Sequence, residues 1–387
     1  MKKVIVILSL MCVSINFAQK LETVYSFARE VRDVSWYQTQ QKLWKEEVDK
    51  NKKNGEAWLN YYRASRALSY FLPSEESDAK KAQQIREKYT DLCQKIVDEA
   101  YKELPNSFET NFMQSIHQNI FGKEYLLKAN EINPNDARIF DAMMVHYETI
   151  QEELEFNRYA NKMFQYNVLP ASILNWGHNI LSELDENAIL FTQGDNDTYA
   201  CWIVQQTKNF RKDVQVINTS LITQDDYRNL IFKKLNIPPL LLSIMESKES
   251  EYDKNVAKIF AHILEHKKVV YAATTAVHSF EKDYESELFL TGLAYKFSRE
   301  NIENTAIIRR NYEKRYLLDC LVQTFAFNMG DKISDEFNSM YLPSMLKLYN
   351  SYKESEEFSK MKELESLILM ISEKSGQKEE VLKIINQ

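Results

Sequence analysis

Phe191 to Trp202 sets a buried apolar run, a glycine turn and a helix start end to end, and no other stretch limits the fold so tightly. Ala188-Ile189-Leu190-Phe191-Thr192 reads as a strand closed by Gly194. A helix from about Thr198 to Phe210 follows, then a second strand over Val214-Gln215-Val216-Ile217-Asn218. Parallel strands need a crossover of this length, so strand, helix and strand form one α/β unit. A helix over Gln224 to Leu235, a break at Pro238-Pro239 and a helix over Tyr252 to His266 lead to a third strand at Val269-Val270-Tyr271-Ala272-Ala273-Thr274. These elements predict a small parallel, Rossmann-like sheet of about three strands with helices packed on it.

The remainder reads as helix. Glycine and proline number 7 each in 387 residues, which suits long helices and few tight turns. Between Lys20 and about Leu184 apolar side chains recur at helical spacing, as in Trp58, Tyr61, Tyr62, Ala64 and Leu68. Pro105, Pro134 and Pro170 mark joints 29 and 36 residues apart, which brackets the tetratricopeptide period of about 34. Tyr125 to Ala137 resembles one such repeat, one helix closing and the next opening at Pro134. Ala129, Ala137, Ala142 and Ala160 supply small side chains there, and Phe140, Tyr147, Tyr159 and Phe164 supply bulk. From Glu285 the pattern turns helical again, and Tyr341 to Gln387 reads as two or three amphipathic helices of the same kind. The expected fold class is mainly α with a central α/β unit, tetratricopeptide-like helical repeats flanking the small parallel sheet. The expected domains are 20–185, 186–300 and 301–387, after a leader at 1–19.

That leader sets the compartment. Lys2 and Lys3, an apolar run from Val4 to Val13 and Ala18-Gln19 have the layout of a Sec-type signal peptide cleaved near Ala18, which predicts export to the periplasm or out of the cell. Cys12 lies inside the apolar run after Leu10-Met11, not after the small residues of a lipid-attachment site. No later segment offers about 18 uninterrupted apolar residues, so the chain is not expected to span a membrane. Removing Lys2 and Lys3 takes 49 basic residues to 47 against 56 acidic ones, a net charge of −9. With no basic stripe, nucleic acid is excluded as a partner. Cys93, Cys201 and Cys320 are widely spaced and odd in number, which excludes a disulfide framework.

Gly194 to Tyr199, Arg211 to Val214 and Asn218 to Leu221 keep the order of a pattern found elsewhere, and Glu287 to Phe297, with Gly292-Leu293-Ala294-Tyr295-Lys296, continues it. Over Asn187 to Phe297 the chain resembles the soluble segment of a bacterial membrane-protein family related to protein O-mannosyltransferases. The family's usual Asn before the glycine is Gln193 here, and its Phe-Pro is Tyr199-Ala200. The resemblance implies the fold of that segment. The sugar-transfer chemistry it would imply belongs to a multi-span membrane part, which this sequence does not contain.

Gly194-Asp195-Asn196-Asp197-Thr198 sits where strand meets helix, the carboxyl edge at which α/β sheets bind ligands. Asp195 and Asp197 oppose a phosphate there. A helix cap from Asp197 or Thr198, with Gly194 in a positive-φ turn, accounts for every residue. The functional alternative is a site in which Asp195, Asn196, Asp197 and Thr198 hydrogen-bond sugar hydroxyls or hold a cation. His262, Glu265 and His266 match the His-x-x-Glu-His zinc pattern, since histidines four apart share a helix face. No third-ligand pattern follows, Lys267-Lys268 come next, and the helix dipole accounts for His266, so neither metal nor other cofactor is expected. No catalytic residues are assigned. The expected function is that of an exported, non-enzymatic helical-repeat protein binding a protein or peptide partner in the cell envelope. The alternative is a glycan-binding or accessory component of envelope protein glycosylation.

Overall fold

The computed structural model describes residues 20–242, 249–266, 269–322 and 331–386. The expected leader, Cys12 and Lys267-Lys268 lie outside them. Two compact units make up the chain: 32–113 with the segment up to Tyr25, and 114–387 with Ser26–Val31. The domain boundaries expected near 185 and 300 both fall inside the second unit.

In the first unit α2 (Gly55–Ser74) packs against both α1 (Val34–Lys50) and α3 (Ala79–Glu103). A helix flanked on two sides must be apolar around most of its circumference. Trp58, Leu59, Tyr61, Tyr62, Ala64, Ala67 and Leu68 are accordingly all buried. The Asn54 side chain caps α2 by accepting from the Ala57 amide, and Asp78 caps α3 by accepting from Lys80 and Lys81. The segment before α1 is pinned to this layer: Val24 donates to Asn60 at 2.7 Å, and Trp44 Nε1 donates to the Glu22 carbonyl at 2.8 Å.

Helix α4 (Phe108–Gln118) carries the chain into the second unit, where α5 (Lys123–Ile132), α6 (Phe140–Thr149), α7 (Glu153–Gln165) and α8 (Ala171–Glu183) follow. Pro105, Pro134 and Pro170 all lie between helices, as their rigid φ and missing N–H require. Five helix ends in this unit share one geometry. Gln151, Asn167, Asn236, Glu356 and Gly376 each follow a helix in the left-handed region. At each, the next amide bonds back to the sixth carbonyl, as Glu152 does to Tyr147 at 2.9 Å and Glu357 to Tyr352 at 2.9 Å. Four of the five are not glycine. Left-handed backbone costs a side-chain-bearing residue about 1 kcal/mol or more, so Glu356→Gly is expected to raise stability by about 1 kcal/mol in urea unfolding. A loss of stability would refute the assigned backbone.

The sheet comprises β1 (Ile189–Thr192), β2 (Gln215–Asn218), β3 (Val270–Ala273), β4 (Leu288–Leu290) and β5 (Ala294–Phe297), in the order β2-β1-β3-β5-β4. The first three match the expected strands and run parallel. Their crossovers are α9 (Asp195–Lys208), then α10 (Asp225–Leu235) with α11 (Glu249–His266). The expectation of a purely parallel, three-stranded Rossmann-like sheet is corrected: the sheet is mixed and five-stranded. After α12 (His278–Tyr284), where helix was expected, β4 and β5 form a hairpin, and β5 adds antiparallel to β3. A three-residue turn, Thr291-Gly292-Leu293, can join only antiparallel strands. It closes through the Thr291 amide to the Ala294 carbonyl at 2.9 Å.

One face of the sheet packs Ile189, Phe191, Ile217 and Val270 against Ile231, Phe260, Ile263 and Phe280 of the covering helices. Phe260 and Phe280 stack with centroids 4.1 Å apart. Leu190 and Val216, whose side chains alternate to the other face, are equally buried.

Helix α8 is the hub of the unit. A Cβ on Gly177 would lie 2.7 Å from the Ala200 backbone, so glycine sets how closely α8 and α9 approach. The remaining helices are α13 (Asn304–Lys314), α14 (Asp319–Val322), α15 (Asp331–Ser339), α16 (Leu342–Glu354), α17 (Phe358–Lys374) and α18 (Lys378–Ile385). They return to α8 through Trp176 against Phe337 at 5.3 Å, and through Asn179 Nδ2 to the Tyr341 hydroxyl at 2.8 Å.

Candidate functional site

Gly194 is the N-cap of α9, with φ −125° and ψ −174°. This corrects the expected positive-φ turn: the backbone is extended here, and the helix start is fixed by a side chain instead. Asp197, at the third position of the helix, turns its carboxylate back on the turn. It accepts from the amides of Gln193 at 2.8 Å, Gly194 at 2.9 Å and Thr198 at 2.9 Å, and from the Thr275 hydroxyl at 2.5 Å. Burial pushes its carboxyl up to about 6 against the pull of those donors. Thr198 donates to the Gly194 carbonyl at 2.7 Å, and Asn218 of β2 donates to Thr198 Oγ1 at 2.9 Å. The ends of β1, β2 and β3 are thereby stitched together. Asp195 is exposed and hydrogen-bonds the Tyr199 side chain. Asn196 Oδ1 is shielded from water and has no partner. Of the four candidate residues, Asp197 and Thr198 are buried inside the network, while Asp195 and Asn196 stand at its rim.

His262, Glu265 and His266 converge on one face of α11, their ligating atoms within 4.8 Å of one another. His262 Nε2 lies 2.8 Å from the Pro238 carbonyl, and His266 Nδ1 lies 2.8 Å from the His262 carbonyl. A carbonyl only accepts, so both of these nitrogens carry protons.

Two further carboxylates, invisible as sites in the sequence, are buried. Glu183 ends α8 and faces the β4–β5 turn. It accepts from the Leu293 and Ala294 amides at 2.9 Å each, from Thr291 Oγ1 at 3.2 Å and from the Tyr316 hydroxyl. Burial pushes it up to about 7 in spite of these donors. A Cβ on Gly292 would strike both the Tyr316 hydroxyl and the Glu183 carboxylate, so the turn needs glycine.

Glu148 of α6 accepts from Tyr227 of α10 at 2.9 Å, and burial pushes it, too, up to about 7. The unfolded group titrates near its ordinary value. Its contribution is therefore fully present below about pH 4.5 and is lost as pH rises through about 7. Glu148→Gln keeps an acceptor for Tyr227 without titrating. Relative to wild type, the variant should gain on the order of 3 kcal/mol between pH 4.5 and pH 8 in urea melts. Parallel pH profiles for the two proteins would refute the assignment.

Beside Glu183, at the amino edge of the parallel strands, lies an open cleft of about 500 Å³ lined by His178, Ser182, Asp185, Phe210, Arg211 and Arg315. His178 stacks on Phe210 at 4.5 Å. Here Arg211 bonds the carbonyls of Leu181, Leu184 and Asp185, and Arg315 bonds those of Ser182 and Glu183. The last carbonyls of α8 are thus satisfied by two guanidiniums rather than by a left-handed turn. Arg211, prominent in the family-like stretch, has a structural task here.

Residues 173–331 match a family model described as TMEM260-associated domain 2. That span contains the whole sheet and the stretch over which the sequence resemblance runs, and is consistent with a TMEM260-related family. No curated protein matches the chain. Among solved structures, the crystal structure of yeast Tom70 aligns over 93% of this chain and 60% of its own, at 10% identity and a TM-score of 0.25. This chain therefore spans less than two thirds of that one, and a likeness this remote carries no argument. No helix among the described residues is long and apolar enough to cross a membrane.

Proposed function

We propose that this chain is an exported, non-enzymatic helical-repeat protein that binds a protein or peptide partner in the cell envelope. The observation that carries the reading is the recurrence of one helix-ending turn at Gln151, Asn167, Glu356 and Gly376, which joins α6 to α7, α7 to α8, α16 to α17 and α17 to α18. Repeated helix–turn–helix units stack with a small rotation and build extended concave surfaces suited to polypeptides. The tetratricopeptide-like spacing of the prolines agrees with this. Export rests on the layout of residues 1–19, and N-terminal sequencing of envelope protein starting near Gln19 would support it. Leu154 and Phe358, at the starts of the second helices of two such pairs, are 83% and 56% exposed. Photo-crosslinkers at these positions should capture a specific partner in envelope extracts, and its absence across varied salt would count against the reading.

A second reading, glycan binding within envelope protein glycosylation, is favoured by one observation. The Asn196 acceptor has no donor and lies beside exposed Asp195 at the carboxyl edge, and an outward rotation of its side chain would bring it to a sugar hydroxyl that supplies the missing donor. Glycan-array binding lost on Asp195→Ala and Asn196→Ala would raise this reading above the first.

A further inference from the structure

We propose that His262, Glu265 and His266 form an open binding site on α11 for a divalent cation of the zinc class. Spacings of three and four residues put the three side chains on one helix face, and the structure holds their ligating atoms within 4.8 Å of one another. The second observation is how the two rings are anchored. His262 donates its Nε2 proton to the Pro238 carbonyl, and His266 donates its Nδ1 proton to the carbonyl of His262, each at 2.8 Å. With the proton on that nitrogen, the neutral ring presents its other nitrogen, Nδ1 of His262 and Nε2 of His266, as the ligand atom. A backbone carbonyl on the far nitrogen is the support that metal-bound histidines ordinarily have, because it fixes the ring and raises its basicity. Phe232 lies against the His262 ring at 5.4 Å and limits its rotation further.

Two imidazole nitrogens and one carboxylate oxygen suit Zn²⁺, or Cu²⁺ more tightly, and discriminate against Mg²⁺ and Ca²⁺, which take oxygen ligands. A tetrahedral ion with bonds of about 2.0 to 2.1 Å needs its ligands closer together than 4.8 Å. Glu265 is exposed and its side chain can swing inward toward the anchored rings, and water completes the shell. The site holds an ion, and no reaction is assigned to it. Because His262 also grips Pro238, occupancy would brace α11 against the chain that leaves α10.

The test is calorimetric titration of ZnCl₂ into the chelator-treated full chain, alongside His266→Ala and Glu265→Gln, whose exposed positions spare the fold. One zinc per chain in the micromolar range is expected, weakened at least about tenfold by His266→Ala and severalfold by Glu265→Gln, with no heat from MgCl₂. Zinc should also raise the thermal midpoint of the wild type and leave that of His266→Ala unmoved. No binding at micromolar zinc, or equal affinity in both variants, overturns the proposal, the latter by showing that the zinc sits elsewhere.

Discussion

Replacing Glu183 by alanine is expected to cost about 5 kcal/mol, enough to unfold a marginally stable unit. The carboxylate collects four donors from two places in the chain: Thr291, Leu293 and Ala294 in the hairpin, and Tyr316 beyond α13. All are buried, so no water replaces the lost acceptor, and each stranded donor costs roughly 1 to 3 kcal/mol. Glu183→Gln keeps the shape but turns an amide N–H toward two of the donors, and should recover only part of the loss. Urea unfolding followed by circular dichroism measures both. A loss below about 1 kcal/mol for the alanine variant would mean that these donors find other partners on relaxation.

The second large effect concerns Asp197. Asp197→Ala strands the amides of Gln193, Gly194 and Thr198 and frees the Thr275 hydroxyl, at an expected cost of about 4 kcal/mol. Asp195→Asn, at an exposed position, should change stability by less than about 0.5 kcal/mol. The pair separates two roles that the motif leaves entangled. If Asp195→Asn abolished glycan or cation binding while Asp197→Ala affected only stability, the corner would be a ligand site built on a structural brace. Equal, small stability losses in both variants would refute the network as the fastener of the three strand ends.

Most of the architecture was legible because the signals were local. Apolar runs of four or five residues gave β1, β2 and β3 to within a residue, and prolines gave the joints between helices. The β4–β5 hairpin was also written in the sequence, as Leu288-Phe289-Leu290, Gly292 and Ala294 to Phe297. Its strands are short and half-buried, however, and their apolar residues fit a helical period equally well. The left-handed residues at helix ends were hidden because Gln151 and Glu356 carry no glycine signal. A cap from Asp197 or Thr198 was legible in the motif, and Asp197 is the residue whose carboxylate turns back on the helix start. Glu183 was not, since its meaning depends on partners more than a hundred residues away.

The arginine-sealed end of α8 carries a consequence for biosynthesis. Its final turn draws on Arg211 and Arg315, so a nascent polypeptide that has emerged only as far as β1 lacks both groups that finish the helix. That turn should stay frayed on the ribosome until the strand-bearing segment, the hairpin and α13 have all been translated. Truncations ending before residue 315 would then be captured by chaperones or degraded, while the α1 to α3 layer, whose contacts are sequence-local, would already be folded.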